Sequence, residues 1–185
     1  MSLPVYEVYA VRYAQRGGRR AENFLHGDPH DAPMPMDYFV WLVRNRERIV
    51  VVDTGFSEAV AKSRGREFLR SACAGFELLG VRAGEVSDVV ITHMHNDHAG
   101  TMDDFPRARF HIQDAEMAYV TGRHMGQKLL RRPYEFNDVV TMLRLTYDGR
   151  VSFHAGDEEI APGLSIHHIG GHTPGLQSVR VHTQR

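Results

Sequence analysis

Thr92-His93-Met94-His95-Asn96-Asp97-His98-Ala99-Gly100 gathers three imidazoles and one carboxylate within six residues. The apolar run Val89-Val90-Ile91 leads in, and the small residues Ala99-Gly100 lead out. A strand ending in a His-rich polar turn is costly to fold unless something binds there, because such groups need partners when buried. Imidazole suits zinc, copper, iron and nickel, and carboxylate suits harder ions. His93 and His95 are two apart, so in a strand both point to one face and can share an ion. Asp97 and His98 follow, where the chain turns, and adjacent residues do not share the direction of the first pair. The arrangement suits two neighbouring ions. A His and Asp set without thiolate is consistent with hydrolytic zinc, where one position stays open for water. Iron and manganese remain open. The bland alternative is a His-rich surface loop, and four potential ligands in six residues directly after a buried strand argue against it. His172 is a separate candidate, on the turn Gly170-Gly171-His172-Thr173-Pro174-Gly175 after another strand. Its glycines let the backbone pack closely and Pro174 fixes the loop.

The elements that must carry these residues can be read from periodicity. Val5 to Tyr13 alternates and predicts a half-buried strand. Gly17 to Arg20 predicts a turn, and residues 21–36, rich in Pro, Gly, His and Asp, a loop. Asp37 to Arg44 and Arg48 to Val52 predict a hairpin, and the second strand delivers Asp53-Thr54-Gly55. That Asp either caps its turn or acts near the site. Glu58 to Leu79 predicts one or two helices, with Cys73 on their apolar stripe as a small core residue. Val81 to Val86 reads as a loop and Val89 to Thr92 as a buried strand. Ala108 to Ile112 predicts a strand, Asp114 to Thr121 a helix, and residues 122–147 a helical stretch broken at Pro133. Val151 to Phe153, Leu164 to Ile169 and Gln177 to His182 read as strands, and Ile160 to Leu164 as a strand edge followed by a bend, with a turn at Asp157-Glu158-Glu159. Strands and helices alternate without a clean βαβ rhythm, so the expected class is a layered α/β protein with a mixed sheet.

Composition narrows the function classes. The chain has 185 residues, 23 acidic against 22 basic side chains and 12 histidines. One domain spanning residues 1–185 is the expectation. Near-neutral charge gives no reason to expect nucleic acid or an anionic membrane surface as partner. The single cysteine excludes an internal disulfide. No basic segment followed by an apolar one opens the chain, and no apolar run approaches the ~20 residues of a membrane helix. A cytoplasmic location is the expectation.

His93-Met94-His95-Asn96-Asp97-His98 matches the H-x-H-x-D-H signature of the metallo-β-lactamase-fold hydrolases. Asp53-Thr54-Gly55 and Gly171-His172-Thr173-Pro174-Gly175 match that superfamily in the same order. The N-terminal loop, the hairpin into Asp-Thr-Gly, and Gln177-Ser178 after Thr-Pro-Gly resemble the branch containing N-acyl-homoserine lactonases. The resemblance implies an αβ/βα sandwich with mixed sheets, its second half truncated here. It implies that His93, His95 and His172 hold a first zinc ion and Asp97 and His98 a second, with Asp53 orienting ligands. It implies a small lactone or ester substrate, opened by a hydroxide shared between the ions, with Asp97 able to move a proton.

The resemblance further implies a bridging Asp, a last His and a nearby Tyr downstream of the His172 turn. The chain reaches Arg185 before any of them. Either it is a fragment, or another chain supplies the missing half. On that expectation the first ion has three ligands, the second only two and binds weakly or not at all, and one sheet face is exposed. Two other functions stay open: hydrolysis of a thioester, β-lactam or small ester on the same fold, and a catalytically inactive metal-binding module. Met34, Met36 and Phe39 either line an acyl pocket or simply pack. His26 and His30 read as loop residues. His111, His154, His167, His168 and His182 read as packing or surface residues.

Overall fold

Three consecutive valines, Val50, Val51 and Val52, are all buried, which requires a strand covered on both faces. The computed structural model describes residues 2–24, 26–27 and 29–184. Leu25 and Asp28 of the expected loop, and the terminal Met1 and Arg185, lie outside the described residues. Two sheets form the frame. The larger contains β1 (Glu7–Arg16), β2 (Met36–Arg44), β3 (Ile49–Val52), β4 (Glu67–Phe68), β5 (Asp88–Val90), β6 (Arg109–Gln113) and β7 (Val151–His154). Its order is β4-β1-β2-β3-β5-β6-β7. The β4-β1-β2-β3 part is antiparallel and the β3-β5-β6-β7 part parallel. The smaller sheet is antiparallel and contains β8 (Glu158–Ala161), β9 (Leu164–His168) and β10 (Gln177–Val181).

The helices are α1 (Arg20–Asn23), α2 (Glu58–Ser63), α3 (Ala72–Glu77), α4 (Asn96–Ala99), α5 (Asp114–Val120), α6 (Lys128–Arg131) and α7 (Phe136–Tyr147). Strand alternation sends Val51, Val89, Phe110 and Ile112 into one core with Phe76, Met142 and Leu145 of the helices. Val50, Val52 and Val90 point the other way, against Ala161, Leu164 and Ile166 of the small sheet. Each such side chain contributes roughly 1.5–3 kcal/mol on full burial, so the strands between the two cores are the most firmly held. The layers run helices, large sheet, small sheet, the α/β sandwich with a mixed sheet expected from the sequence.

The small sheet does not cover the whole large one. On β1 and β2, Val8 pairs with Val43, Ala10 with Trp41 and Arg12 with Phe39. Val43 is under the small sheet, whereas Val8, Phe39 and Trp41 are about 40% exposed. This strip is the expected exposed sheet face, and it places Phe39 beside Trp41 (ring centroids 6.5 Å apart).

The stretch from Glu58 to Leu79 is two helices, as expected, each capped by a serine (Ser57 and Ser71). Other local expectations are corrected: β4 lies between those helices and adds to the edge of β1. The expected loop 21–36 begins inside α1, because Ala21 N–H bonds to Asp31 Oδ1 and Arg20 N–H to Ala32 O across it. Glu158 is in β8 rather than in a turn; the reversal is made at Ala155 to Asp157, where Gly156 has φ 118°. No described helix is long and apolar enough to cross a membrane.

Candidate metal centre

The His-rich turn sits at the carboxyl ends of the parallel strands, where α/β sheets leave a crevice for ligands. β5 ends at Val90, and Ile91 makes one more bond, its N–H to His111 O at 3.0 Å. His93 and His95 therefore lie beyond the strand. Their convergence comes from the turn, not from strand alternation, because the chain is already bending toward α4, whose N-cap is His95. Four anchors shape this turn. Thr54 N–H bonds to His98 O and Gly100 N–H to Gly55 O, both at 2.7 Å. Asn96 donates its N–H (2.9 Å) and its amide (2.7 Å) to Pro133 O. Tyr13 O–H donates to Asp97 O at 2.8 Å. A Cβ on Gly100 would fall 2.7 Å from Gly55 O, so only glycine lets the turn close onto β3.

The side chains of His93, His95 and His172 then meet. Their ligand nitrogens lie within 4.8 Å of one another, and His95 Nδ1 is 3.1 Å from His172 Nε2. Around a tetrahedral ion with bonds of ~2.05 Å, ligand nitrogens sit ~3.3 Å apart, so this pair needs little movement to bind. His93 Nε2 is buried and has no hydrogen-bond partner among the described residues. An orphaned buried nitrogen is costly unless it aims at something outside the protein. Burial, then the neighbouring imidazoles, pushes His93 down to about 2. Burial and His172 push His95 down to about 4. Both rings are neutral at physiological pH and offer lone pairs. This donor set fits a divalent ion that accepts imidazole.

Asp97 and His98 form the adjoining pair. His98 Nε2 is 3.5 Å from Asp97 Oδ2, and the His98 ring lies 4.1 Å from that of His93. Burial opposes charge on His98, but Asp53 and Asp97 outweigh it and raise the imidazole to about 10. Burial likewise opposes charge on Asp97, and His98 outweighs it, holding the carboxyl well below its usual range. Of the two readings of Asp-Thr-Gly, the role near the site is the one the geometry supports: Asp53 reaches Thr92 on the neighbouring loop rather than its own turn. Its Oδ1 accepts Thr92 N–H at 2.8 Å and its Oδ2 accepts Thr92 O–H at 2.9 Å. The same Oδ2 is 2.7 Å from His98 Nδ1, which must donate to it. That fixes the ring orientation and turns Nε2 toward Asp97.

Sequence reading missed four supporting residues. Tyr13 is 84 positions from the carbonyl it holds. Tyr134 packs steeply against His95, with ring centroids 4.7 Å apart. Gln177 ties the small sheet to β5, donating its N–H to Thr92 O and its amide to Ile91 O. Glu116 is fully buried and joins the two His-bearing loops. None has a local sequence signal, since each acts across the fold. Other histidines are elsewhere. His111 and His154 stack in the sheet between Asp88 and Glu158, and His167 bonds to Asp157. Cys73 packs against the helical core, and burial raises its thiol to about 11.

Comparison with known proteins bears on the family and the fold. A profile described as the Metallo-beta-lactamase superfamily matches residues 34–185. N-acyl homoserine lactonase AiiB of Agrobacterium fabrum is 29% identical over 114 residues, 58% of this chain and 39% of the relative. An N-acyl homoserine lactonase of Bacillus sp is 26% identical over 167 residues, 81% of this chain and 61% of the relative. The chain thus spans less than two thirds of the length of either. A solved quorum-quenching N-acyl homoserine lactone lactonase superposes with a TM-score of 0.78 at 19% identity, over 100% of this chain and 71% of that one. At that identity the likeness establishes the fold.

Proposed function

Because the chain belongs to the metallo-β-lactamase superfamily, we propose that it is a metal-dependent hydrolase that opens lactones of the acyl-homoserine type. The observation that carries this reading is the convergence of three imidazoles, one with an orphaned buried nitrogen, at the carboxyl ends of the strands. The lactonase relatives support the substrate class.

His93, His95 and His172 would hold a first ion, with zinc favoured by an all-imidazole set. Asp97 and His98 would contribute to a second. A bound ion supplies a charge that polarises a carbonyl and lowers the pKa of water from about 15.7 toward about 7. The protein's residues do the rest. His93 and His95 are kept unprotonated by burial, so they need shed no proton before binding. Asp53 accepts a hydrogen bond from His98 Nδ1–H and so turns Nε2 toward Asp97. Asp97 remains ionised and lies beside the site where water would attack the lactone carbonyl. It can take the water proton and return it to the ring oxygen as the carbon–oxygen bond breaks. The product is an open hydroxy acid.

The test is a substrate panel on zinc-loaded protein, comparing acyl-homoserine lactones, a thioester and a β-lactam. The expected result is lactone opening that is lost on chelation and restored by zinc. Thioester or β-lactam turnover without lactone turnover overturns the substrate class. Full activity after exhaustive chelation overturns metal dependence.

A further inference from the structure

Glu116 has no solvent exposure and no cationic partner among its hydrogen bonds. It lies in the first turn of α5, directly after β6. A buried carboxylate is expensive unless all its acceptor positions are used, and here the donors have a particular origin. Oε1 accepts Met94 N–H at 2.8 Å. Oε2 accepts Thr173 O–H at 2.6 Å and Gly175 N–H at 3.2 Å. Met94 stands between His93 and His95. Thr173 immediately follows His172. One carboxylate thus grips both loops that present the three imidazoles, one oxygen to each loop.

The packing leaves no slack in this grip. A Cβ on Gly175 would fall onto the Glu116 backbone, so the His172 turn rests directly on α5. The other ties between the loops differ in kind. Gln177 bonds to Ile91 and Thr92 ahead of the His-rich turn and aligns the sheets rather than the ligands. The direct contact between His95 and His172 joins the nitrogens that an ion would occupy, so it cannot hold the loops once an ion is bound.

We propose that Glu116 is a positioning residue of the metal centre, holding His172 at the distance from His93 and His95 at which all three can bind one ion. The inference rests on the metal reading given above. Glu116→Gln keeps the shape but replaces one acceptor oxygen with a donor NH2, so one loop loses its acceptor. Removing a group that orients ligands costs on the order of 10–100-fold in metal affinity.

The experiment is cobalt(II) titration of the full chain, followed by visible absorption, in wild type, Glu116→Gln, His172→Ala and the double variant. Wild type is expected to give the intense bands of tetrahedral cobalt. Glu116→Gln is expected to bind at least tenfold more weakly, with bands resembling those of His172→Ala. The double variant is expected to be no weaker than His172→Ala alone, because Glu116 acts through His172. Should Glu116→Gln fail to fold, Thr173→Val removes one donor and is expected to weaken binding in the same direction, with Thr173→Ser restoring it. Wild-type affinity and spectrum in Glu116→Gln, or a full additive loss in the double variant, would overturn the assignment of Glu116 alone. No cobalt uptake by wild type would overturn the metal reading on which it stands.

Discussion

Asp53 adopts φ 63°, a conformation that asparagine tolerates almost as well as aspartate. Asp53→Asn therefore keeps the turn while removing the charge that faces His98. The expected outcome is a 10–100-fold loss in affinity for an ion at the Asp97 and His98 pair, with His93, His95 and His172 unaffected. Competitive zinc titration checks it, and an unchanged weaker binding step would contradict it. Asp138 offers a different test. It is 9% exposed, its Oδ2 has no hydrogen-bond partner, and burial, then Glu135, raises its carboxyl to about 7. A raised carboxyl favours the protonated fold, so its penalty is absent below about pH 4, grows between about pH 4 and 7, and is constant above. Asp138→Asn should be more stabilising at pH 8 than at pH 4 by on the order of 4 kcal/mol, about three pH units at about 1.4 kcal/mol each. Urea unfolding at pH 4 and pH 8 is the measurement. An equal gain at both would contradict the burial account.

Between elements, a chain of side chains cross-links the parallel strands, buried at Asp88, His111 and His154 and ending at the exposed Glu158 of the small sheet. Asp88 of β5 meets His111 of β6 at 3.0 Å, His111 meets His154 of β7 at 3.0 Å, and His154 meets Glu158 of β8 at 2.6 Å. His111→Ala leaves groups on both sides without their partner and should cost about 2–4 kcal/mol. His167→Ala, whose Asp157 contact is at the surface, should cost under about 1 kcal/mol. Paired denaturant curves decide it, and equal losses would show that the chain contributes nothing special. Element legibility followed the same divide between local and distant causes. Val50 to Val52 announced a two-face-buried strand because consecutive apolar residues have no other stable use. The His93 to His98 cluster was legible because its ligands are consecutive. β4 was not, because Glu67 and Phe68 pair with β1 only after distant residues set that edge. Glu116 was not, because a Glu in a first helical turn is common for reasons of charge alone.

For the whole molecule, the uneven size of the two sheets matters. Val8, Phe39 and Trp41 form an uncovered apolar strip, and β10 is an edge of the small sheet among the described residues. Such a combination favours association. Trp41→Lys should lower light scattering at high concentration while leaving the melting temperature within a few degrees, since a surface change costs about 0.5 kcal/mol or less. Scattering unchanged from wild type would mean that the strip is not the contact. The two His-bearing loops come from opposite sheets, one after β5 and one after β9, so a folded sandwich is a precondition for the site. That is why His172 could be suspected from its turn, while its distance to His95 could be known only from the fold.

The central claim is that His93, His95 and His172 bind one ion together. Zinc-edge X-ray absorption on the protein loaded with a single equivalent tests it most directly. The account predicts three imidazole nitrogens at ~2.0–2.1 Å, falling to two in His172→Ala. An oxygen-only shell, or a nitrogen count that His172→Ala does not change, would contradict it.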